Sequence, residues 1–365
     1  MLDRRKLTRA KTAATAGSAA VAIETPAARP EPSGPERSGP ERSGPERAGP
    51  ERLGPEPSGY ALGPVRRTRT DILDIAYHDV GPTRGKPVIL LHGWPFSPVG
   101  SFREVAPALA LRGYRCYIPY LRGHGRTRFL RADTFRSGQQ AALGVDLVAF
   151  MDALRVPRAL FAGYDWGGRA GGVAAALWPE RCTGLVSVNG YLIQNLAVSQ
   201  GPLAPAVEEG CWYFFYFLTE RGRKGLQRDR EGLARVVWRR NSPEWRFTEA
   251  EFAEAAALWA NPDYVDVVLH SYRHRMGAAP GDRRYAELER RLLAQPKITV
   301  PAVTLDGQAD GVVPPTDGSG HAEHFTGPWT HHLIPRAGHN LPQEQPRAFT
   351  EAIVEADAMR HRLDR

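Results

Sequence analysis

Residues 159–172, ALFAGYDWGGRAGG, decide how the chain is built. Ala159 to Gly163 is an unbroken apolar run with the length of a buried strand, and RAGGVAAALW (169–178) is a small-residue run with the length of a helix. Between them a glycine-rich turn carries one carboxylate, Asp165, flanked by Tyr164 and Trp166. Working outward, KPVILLHGWP (86–95) reads as a buried strand, Val88 to Leu91, that enters a loop. SFREVAPALALRG (101–113) reads as a helix stopped by Gly113, and YRCYIPYLRGHGRT (114–127) as a strand with its loop. Upstream, DILDIAYHDVG (71–81) reads as paired strands. Ser137 and Gln140 form a capping box ahead of a helix whose inner face carries Leu143, Leu147, Met151 and Leu154 and which Pro157 ends. Strands and helices alternating at this spacing imply an α/β fold with a mostly parallel, doubly wound sheet.

Near Tyr191 the rhythm breaks. The chain to Lys297 is helical and aromatic-rich, with a second capping box at Thr248 and Glu251. Strand-like TVPAVTLDG (299–307) and THHLIPRAGH (330–339) then resume the alternation, and a helix from about Pro346 closes it. The expected organisation is therefore a tail over residues 1–62, an α/β core over 63–190 and 298–365, and a helical insertion over 191–297.

Composition excludes several classes. Lys and Arg total 48 against 40 Asp and Glu, a formal charge of +8. The arginines are scattered among acids rather than gathered in a basic, aromatic-interleaved stripe, so the charge reads as a solvated surface and no nucleic-acid partner is expected. No apolar run approaches the ~18 residues needed to cross a membrane. Cys116, Cys182 and Cys211 lie far apart without a CxxC pair, which argues against a disulfide framework or a zinc site and for buried thiols.

The first sixty residues are of another kind. From Gly34 the chain repeats GPERS-type pentapeptides to Pro57, almost without apolar content. Such a tract cannot bury enough surface to offset its ordering entropy, so disorder is expected, and a glycine at every fifth position is not collagen-like. Before it, Arg4-Arg5 and an Ala-rich run resemble a twin-arginine export signal, but Arg9 and Lys11 intrude and no cleavage site is defined. A cytoplasmic protein with a disordered tail is the expectation, export the alternative.

The carboxylate on the turn has two readings. A strand-to-helix turn of the form G-x-nucleophile-x-G lifts one side chain above the carboxyl edge of the sheet, and the frame here is Gly163-Tyr164-Asp165-Trp166-Gly167. Asp is equally suited to capping the helix that follows. No G-x-S-x-G occurs, which disfavours a serine hydrolase of this kind. The rest of the chain favours the nucleophile, because an acid and then a histidine follow it in chain order. LDGQADGVVPP (305–315) offers Asp306 and Asp310. Asp310, deeper in the loop, is the better acid, and Asp306 reads as a turn residue. His321, His324, His331 and His332 compete with His339, but only His339 combines strand, glycine and loop before a terminal helix. The loop of LLHGWP supplies backbone N–H groups for half an oxyanion hole.

The segments HGWP, RGHGRT, GYDWGG, GQADGVV and GHNLPQE together resemble the α/β-hydrolase-fold enzymes of the epoxide hydrolase and haloalkane dehalogenase group, from about Thr70 to the C-terminus. The resemblance implies that Asp165 is a nucleophile attacking an electrophilic sp3 carbon, that His339 oriented by Asp310 activates the water that cleaves the resulting ester, and that the backbone N–H groups of Trp94 and Trp166 hold the oxyanion. It implies no metal or organic cofactor; the partners are a small apolar epoxide and water.

The leaving group divides the group. Epoxide hydrolases donate to the nascent alkoxide from two lid tyrosines, and the segments resembling theirs, GCWYFFYFLTERG (210–222) and LHSYRHR (269–275), map them to Tyr213 and Tyr272, with Tyr216 and Tyr264 the neighbours most easily mistaken for them. Trp94, Trp166, Trp212 and Phe214 are the expected substrate-binding aromatics, although an aromatic run such as 212–217 is commonly lid core. Dehalogenases commonly carry Asn where Trp94 stands, and some carry the triad acid where Asn189 stands. Both departures favour the epoxide, with haloalkane dehalogenation the alternative and an inactive ligand-binding relative a lesser one. His124 and Arg122 are read as shaping their turn, and GGRAGG lacks the register of a nucleotide loop.

Overall fold

The computed structural model describes residues 60–197, 199 and 201–363. The expected tail, apart from its last three residues, and the export-like segment lie outside them. Among the described residues nine strands form one sheet: β1 (Arg66–Arg69), β2 (Leu73–Val80), β3 (Lys86–Leu91), β4 (Tyr114–Pro119), β5 (Arg128–Phe129), β6 (Ala159–Gly163), β7 (Cys182–Val188), β8 (Ala302–Gly307) and β9 (Trp329–Ile334). Their order is β1-β2-β4-β3-β6-β7-β8-β9, with β5 beside β2. Every pair from β4 through β9 is parallel, and only β2 runs antiparallel to its partners. The doubly wound α/β expectation therefore holds. Val88 to Leu91 and all of β6 are buried, as strands covered on both faces must be.

Helices cover both faces. Leu185 meets Gly171 of the helix Asp165–Leu177, while its neighbour Gly184 meets Ala356 of the helix Pro346–Leu363. Successive strand residues point to opposite faces, so the two helices flank the sheet. Sequence order reverses at β3, whose successor β4 lies on one side and β6 on the other. The loops leaving β3 and β6 diverge there and open a crevice above their carboxyl ends. HGWP and Asp165 are those two loops.

Between β7 and β8 the described chain is helical, including Trp212–Leu218, Arg230–Asn241 and Tyr264–Arg275. The Thr248–Glu251 capping box is present in both directions. Cys116, Cys182 and Cys211 are free and buried, as expected. No helix among the described residues is long and apolar enough to cross a membrane.

Three local expectations fail. DILDIAYHDVG holds one strand, β2, whose partner β1 lies upstream at Arg66–Arg69. The 101–113 helix is two helices, Pro98–Phe102 and Val105–Leu111, the second with Pro107 in its first turn, where a missing N–H costs nothing. Ser137 and Gln140 form no capping box. The helix is Gln140–Ala153, and its N-terminus is satisfied from far away: the Glu289 carboxylate accepts from the Ala141 N–H at 3.0 Å and from the Gln139 and Gln140 amides.

Candidate active site

The turn after β6 is built around Asp165, whose φ of +49° lies in the left-handed region that a branched side chain seldom adopts. Its flanking glycines are steric requirements. A Cβ on Gly163 would stand 2.7 Å from the Gly167 carbonyl carbon, and one on Gly167 would stand 2.1 Å from the Leu91 oxygen. The helix begins at Asp165 itself, and the extended N-cap residue is Tyr164. Asp165 is therefore not the helix cap, and its carboxylate is free to point over the crevice.

Two different loops contact that carboxylate. Oδ1 accepts the Trp94 backbone N–H at 2.7 Å, and Oδ2 faces His339 Nε2 at 3.7 Å. Of the two expected oxyanion donors, Trp94 is thus engaged. Trp166 N–H lies in the first turn of the helix and donates to neither oxygen. His92 sets the Trp94 loop by accepting the Leu121 N–H on Nε2 at 3.1 Å.

His339 Nδ1 donates to Asp310 Oδ2 at 2.8 Å, which leaves Nε2 for Asp165. Asp310 is held in turn by Asn189 Nδ2 at 3.1 Å and by the N–H groups of Val312 and Val313 on Oδ1. Asp306 lies elsewhere and caps its own loop, accepting from the Thr316 N–H and hydroxyl. Sequence reasoning did not single out the Asn241 carbonyl, which accepts from both Gly311 and His339 and so ties the acid loop to the base loop. It also missed Glu344, which accepts from the Gly338 and Asn340 N–H groups on either side of His339. A backbone acceptor leaves no trace in a sequence motif.

Electrostatics follow the contacts. Burial disfavours the charged ring of His339, yet Asp310 and Asp165 overcome it and push its pKa up to about 10. Burial likewise opposes ionisation of Asp165, but His339, then Arg169 and the Trp94 N–H, hold it below the usual carboxylate range. Replacing Asp310 by Asn should lower the His339 pKa by at least about one pH unit, followed by its ring proton resonances, because one of two facing charges is lost. Asp306→Asn should leave that titration in place; a fall there instead would reassign the acid.

Tyr213 and Tyr272 converge on the same space from helices Trp212–Leu218 and Tyr264–Arg275. Their rings lie 5.5 Å apart and edge-on, and Trp94 touches both at 5.5 and 5.3 Å. Burial chiefly, with the Asp165 charge adding, raises both phenols well above the ordinary tyrosine range, so both hydroxyls remain donors. Tyr264 is occupied, accepting from the Trp94 indole at 2.9 Å, and Tyr216 points to Gly225. Phe214 and Trp166 pack on Tyr272, and half-buried Trp212 packs on Tyr213. Phe215 is 42% exposed and faces away. Arg122 is buried and bound bidentately by Asp146, a turn-shaping role as expected. His124 Nδ1 donates to the Arg122 carbonyl at 3.0 Å, and its ring packs edge-on against Trp166. Among the described residues no three His, Cys, Asp or Glu side chains are grouped to hold a metal ion.

The chain is similar in sequence and fold to known proteins. The family model for the alpha/beta hydrolase fold matches residues 86–346. Epoxide hydrolase A of Mycobacterium tuberculosis is 27% identical over 297 residues, covering 74% of this chain and 90% of that protein. A crystal structure from Klebsiella pneumoniae, provisionally assigned as an epoxide hydrolase, is 46% identical with a TM-score of 0.80, over 83% of this chain and all of that one (100%). A Pseudomonas aeruginosa structure with the same provisional assignment, 20% identical over 86% of this chain and 100% of its own, has a TM-score of 0.69 and speaks to the fold.

Proposed function

Because the chain belongs to the α/β-hydrolase-fold family, we infer that it hydrolyses an epoxide to a vicinal diol through an ester on Asp165. The observation that carries this reading is the facing arrangement of the Asp165–His339–Asp310 array and the two protonated phenols of Tyr213 and Tyr272. Asp165 Oδ2 attacks a ring carbon, the C–O bond breaks, and the electron pair stays on the epoxide oxygen. A tyrosine hydroxyl donates to that oxygen as charge develops on it. The helical insertion, which carries both tyrosines, acts as the lid.

The second step needs a base. While Asp165 is ionised, His339 is held as the imidazolium by two carboxylates. Esterification removes one of those charges, so the His339 pKa falls and Nε2 loses its proton to solvent. The neutral ring then takes a proton from water as the water oxygen bonds to the Asp165 carbonyl carbon. The oxyanion forms on Oδ1, where the Trp94 N–H already sits. Collapse breaks the ester bond and passes the proton of the added hydroxyl to the departing oxygen, while the first-formed alkoxide takes the tyrosine proton, which solvent replaces with the one His339 released; the carboxylate returns and the diol leaves. No other group is required by this balance.

Repeated turnover of styrene oxide in ¹⁸O-water tests the route. The peptide bearing Asp165 should gain ¹⁸O, because the hydrolytic water enters that carboxyl group before it enters any product. Diol without label in the peptide would overturn the ester, and faster halide release from haloalkanes than diol formation would replace the substrate class.

A further inference from the structure

Arg169 stands four residues after Asp165, in the first turns of the helix that the nucleophile opens. Its residue is 6% exposed, yet it makes no ion pair, and its buried Nε has no hydrogen-bond partner. Other enclosed arginines are treated differently: buried Arg122 is clamped by Asp146, and half-buried Arg136 is paired with Asp263. Asp165 acts on Arg169 only through space: its oxygens meet Trp94 and His339, and neither forms an ion pair with the guanidinium. A second cation lies nearby. Arg275 ends the helix that carries Tyr272 and holds its guanidinium 4.5 Å over the Phe214 ring, which packs at 5.0 Å on both tyrosines. It too has no carboxylate partner among the described residues. Burial, then Arg275, pulls the Arg169 pKa down to about 10, while Asp165, Tyr272 and Tyr213 pull it up, so the charges of the site act on this guanidinium.

A buried guanidinium without a hydrogen-bonded carboxylate is costly to fold, and a site retains one when the ligand brings that partner. We propose that Arg169, backed by Arg275, receives a carboxylate on the substrate, so that the epoxide opened here is an epoxy acid rather than a wholly apolar epoxide. This deepens the reading of the site as an epoxide hydrolase and rests on it. The planar guanidinium suits a carboxylate, which it can take by two parallel N–H···O bonds. Four residues from the nucleophile, it would hold the acid end while the ring lies between Asp165 and the tyrosines. The surrounding aromatics then pack the part of the substrate between the two polar ends.

Three ligands of one frame test the proposal: 3-phenylglycidate, its neutral amide, and unreactive 3-phenylpropionate. Wild type should prefer the acid over the amide by about ten- to a hundredfold in kcat/KM, chiefly through KM, the size of one charged hydrogen-bonded contact. Arg169→Met should reduce that preference to about one, and Arg169→Lys should keep part of it. Arg169→Met should also raise the melting temperature, because it removes a buried charge without a hydrogen-bonded carboxylate, whereas a structural arginine would lower it. 3-Phenylpropionate should bind wild type and not Arg169→Met by calorimetry, a measurement that holds even if no epoxide is opened and so separates the anion site from the reaction. Equal kcat/KM for acid and amide in wild type, or carboxylate binding that survives Arg169→Met, overturns the proposal. Should Arg169→Met not fold, the wild-type comparison of acid and amide decides alone.

Discussion

His339→Gln should fill with its own substrate. The first step asks nothing of His339 except its place beside Asp165, 3.7 Å away, whereas the second needs the base that faces Asp165 there. Loss of a general base slows its step by about 10²–10⁴-fold, so the ester should accumulate and intact-mass spectra should show the protein plus one whole epoxide. The pH dependence has a definite sign. A protonated ring cannot take a proton, and in the free protein the ring is pushed up to about 10 by Asp310 and Asp165 against the effect of burial. The ester carries no charge, so the value that governs hydrolysis lies below this. Ester hydrolysis by wild type should therefore climb with pH and level off before the free-protein value. Ester formation should stay flat between about pH 5 and 9, since Asp165 is ionised throughout. A folded His339→Gln protein that binds substrate without an adduct, or hydrolysis that quickens as pH falls, contradicts the ester route.

What could be read from residues alone has a physical pattern. Gly163 and Gly167 announce the turn because their Cβ atoms would strike backbone within a few residues or one strand away, and no other residue type escapes that clash. Asp310 could be separated from Asp306 because loop depth after a strand controls reach, and the structure puts 2.8 Å between Asp310 and the ring. Long-range partners were invisible. Ser137 and Gln140 match a capping pattern, yet Glu289 arrives from the helical insertion and supplies the acceptor instead. Asn189 braces Asp310 from the end of another strand, a contact seen only with both loops in view. Arg169 is masked by the glycine-rich run around it, although a lone cation one turn after the nucleophile on the same helix is a usable signal.

The phenols should separate epoxide opening from every other use of this triad. Breaking the ring puts alkoxide charge into a space walled by Trp94, Phe214, Phe217 and Trp166, where water is scarce and an unmet charge is expensive. A hydrogen bond to an ionised group is worth about 1.5–3 kcal/mol. At about 1.36 kcal/mol per decade, Tyr213→Phe or Tyr272→Phe alone should slow ring opening by roughly one to two orders of magnitude. The double Phe variant should lose about 10²–10⁴-fold, because the second phenol can no longer stand in for the first. Neither change leaves a void, and neither hydroxyl is a fixed partner of the catalytic array, so the fold and the Asp165–His339–Asp310 contacts should persist. Pre-steady-state kinetics place the effect in the alkylation step, with hydrolysis of any ester that does form proceeding at the wild-type rate. A halide leaving group asks nothing of these hydroxyls and responds instead to the Trp166 indole. Diol formation retained by the double variant would mean that some other donor meets the alkoxide, and the roles of Tyr213 and Tyr272 would fall.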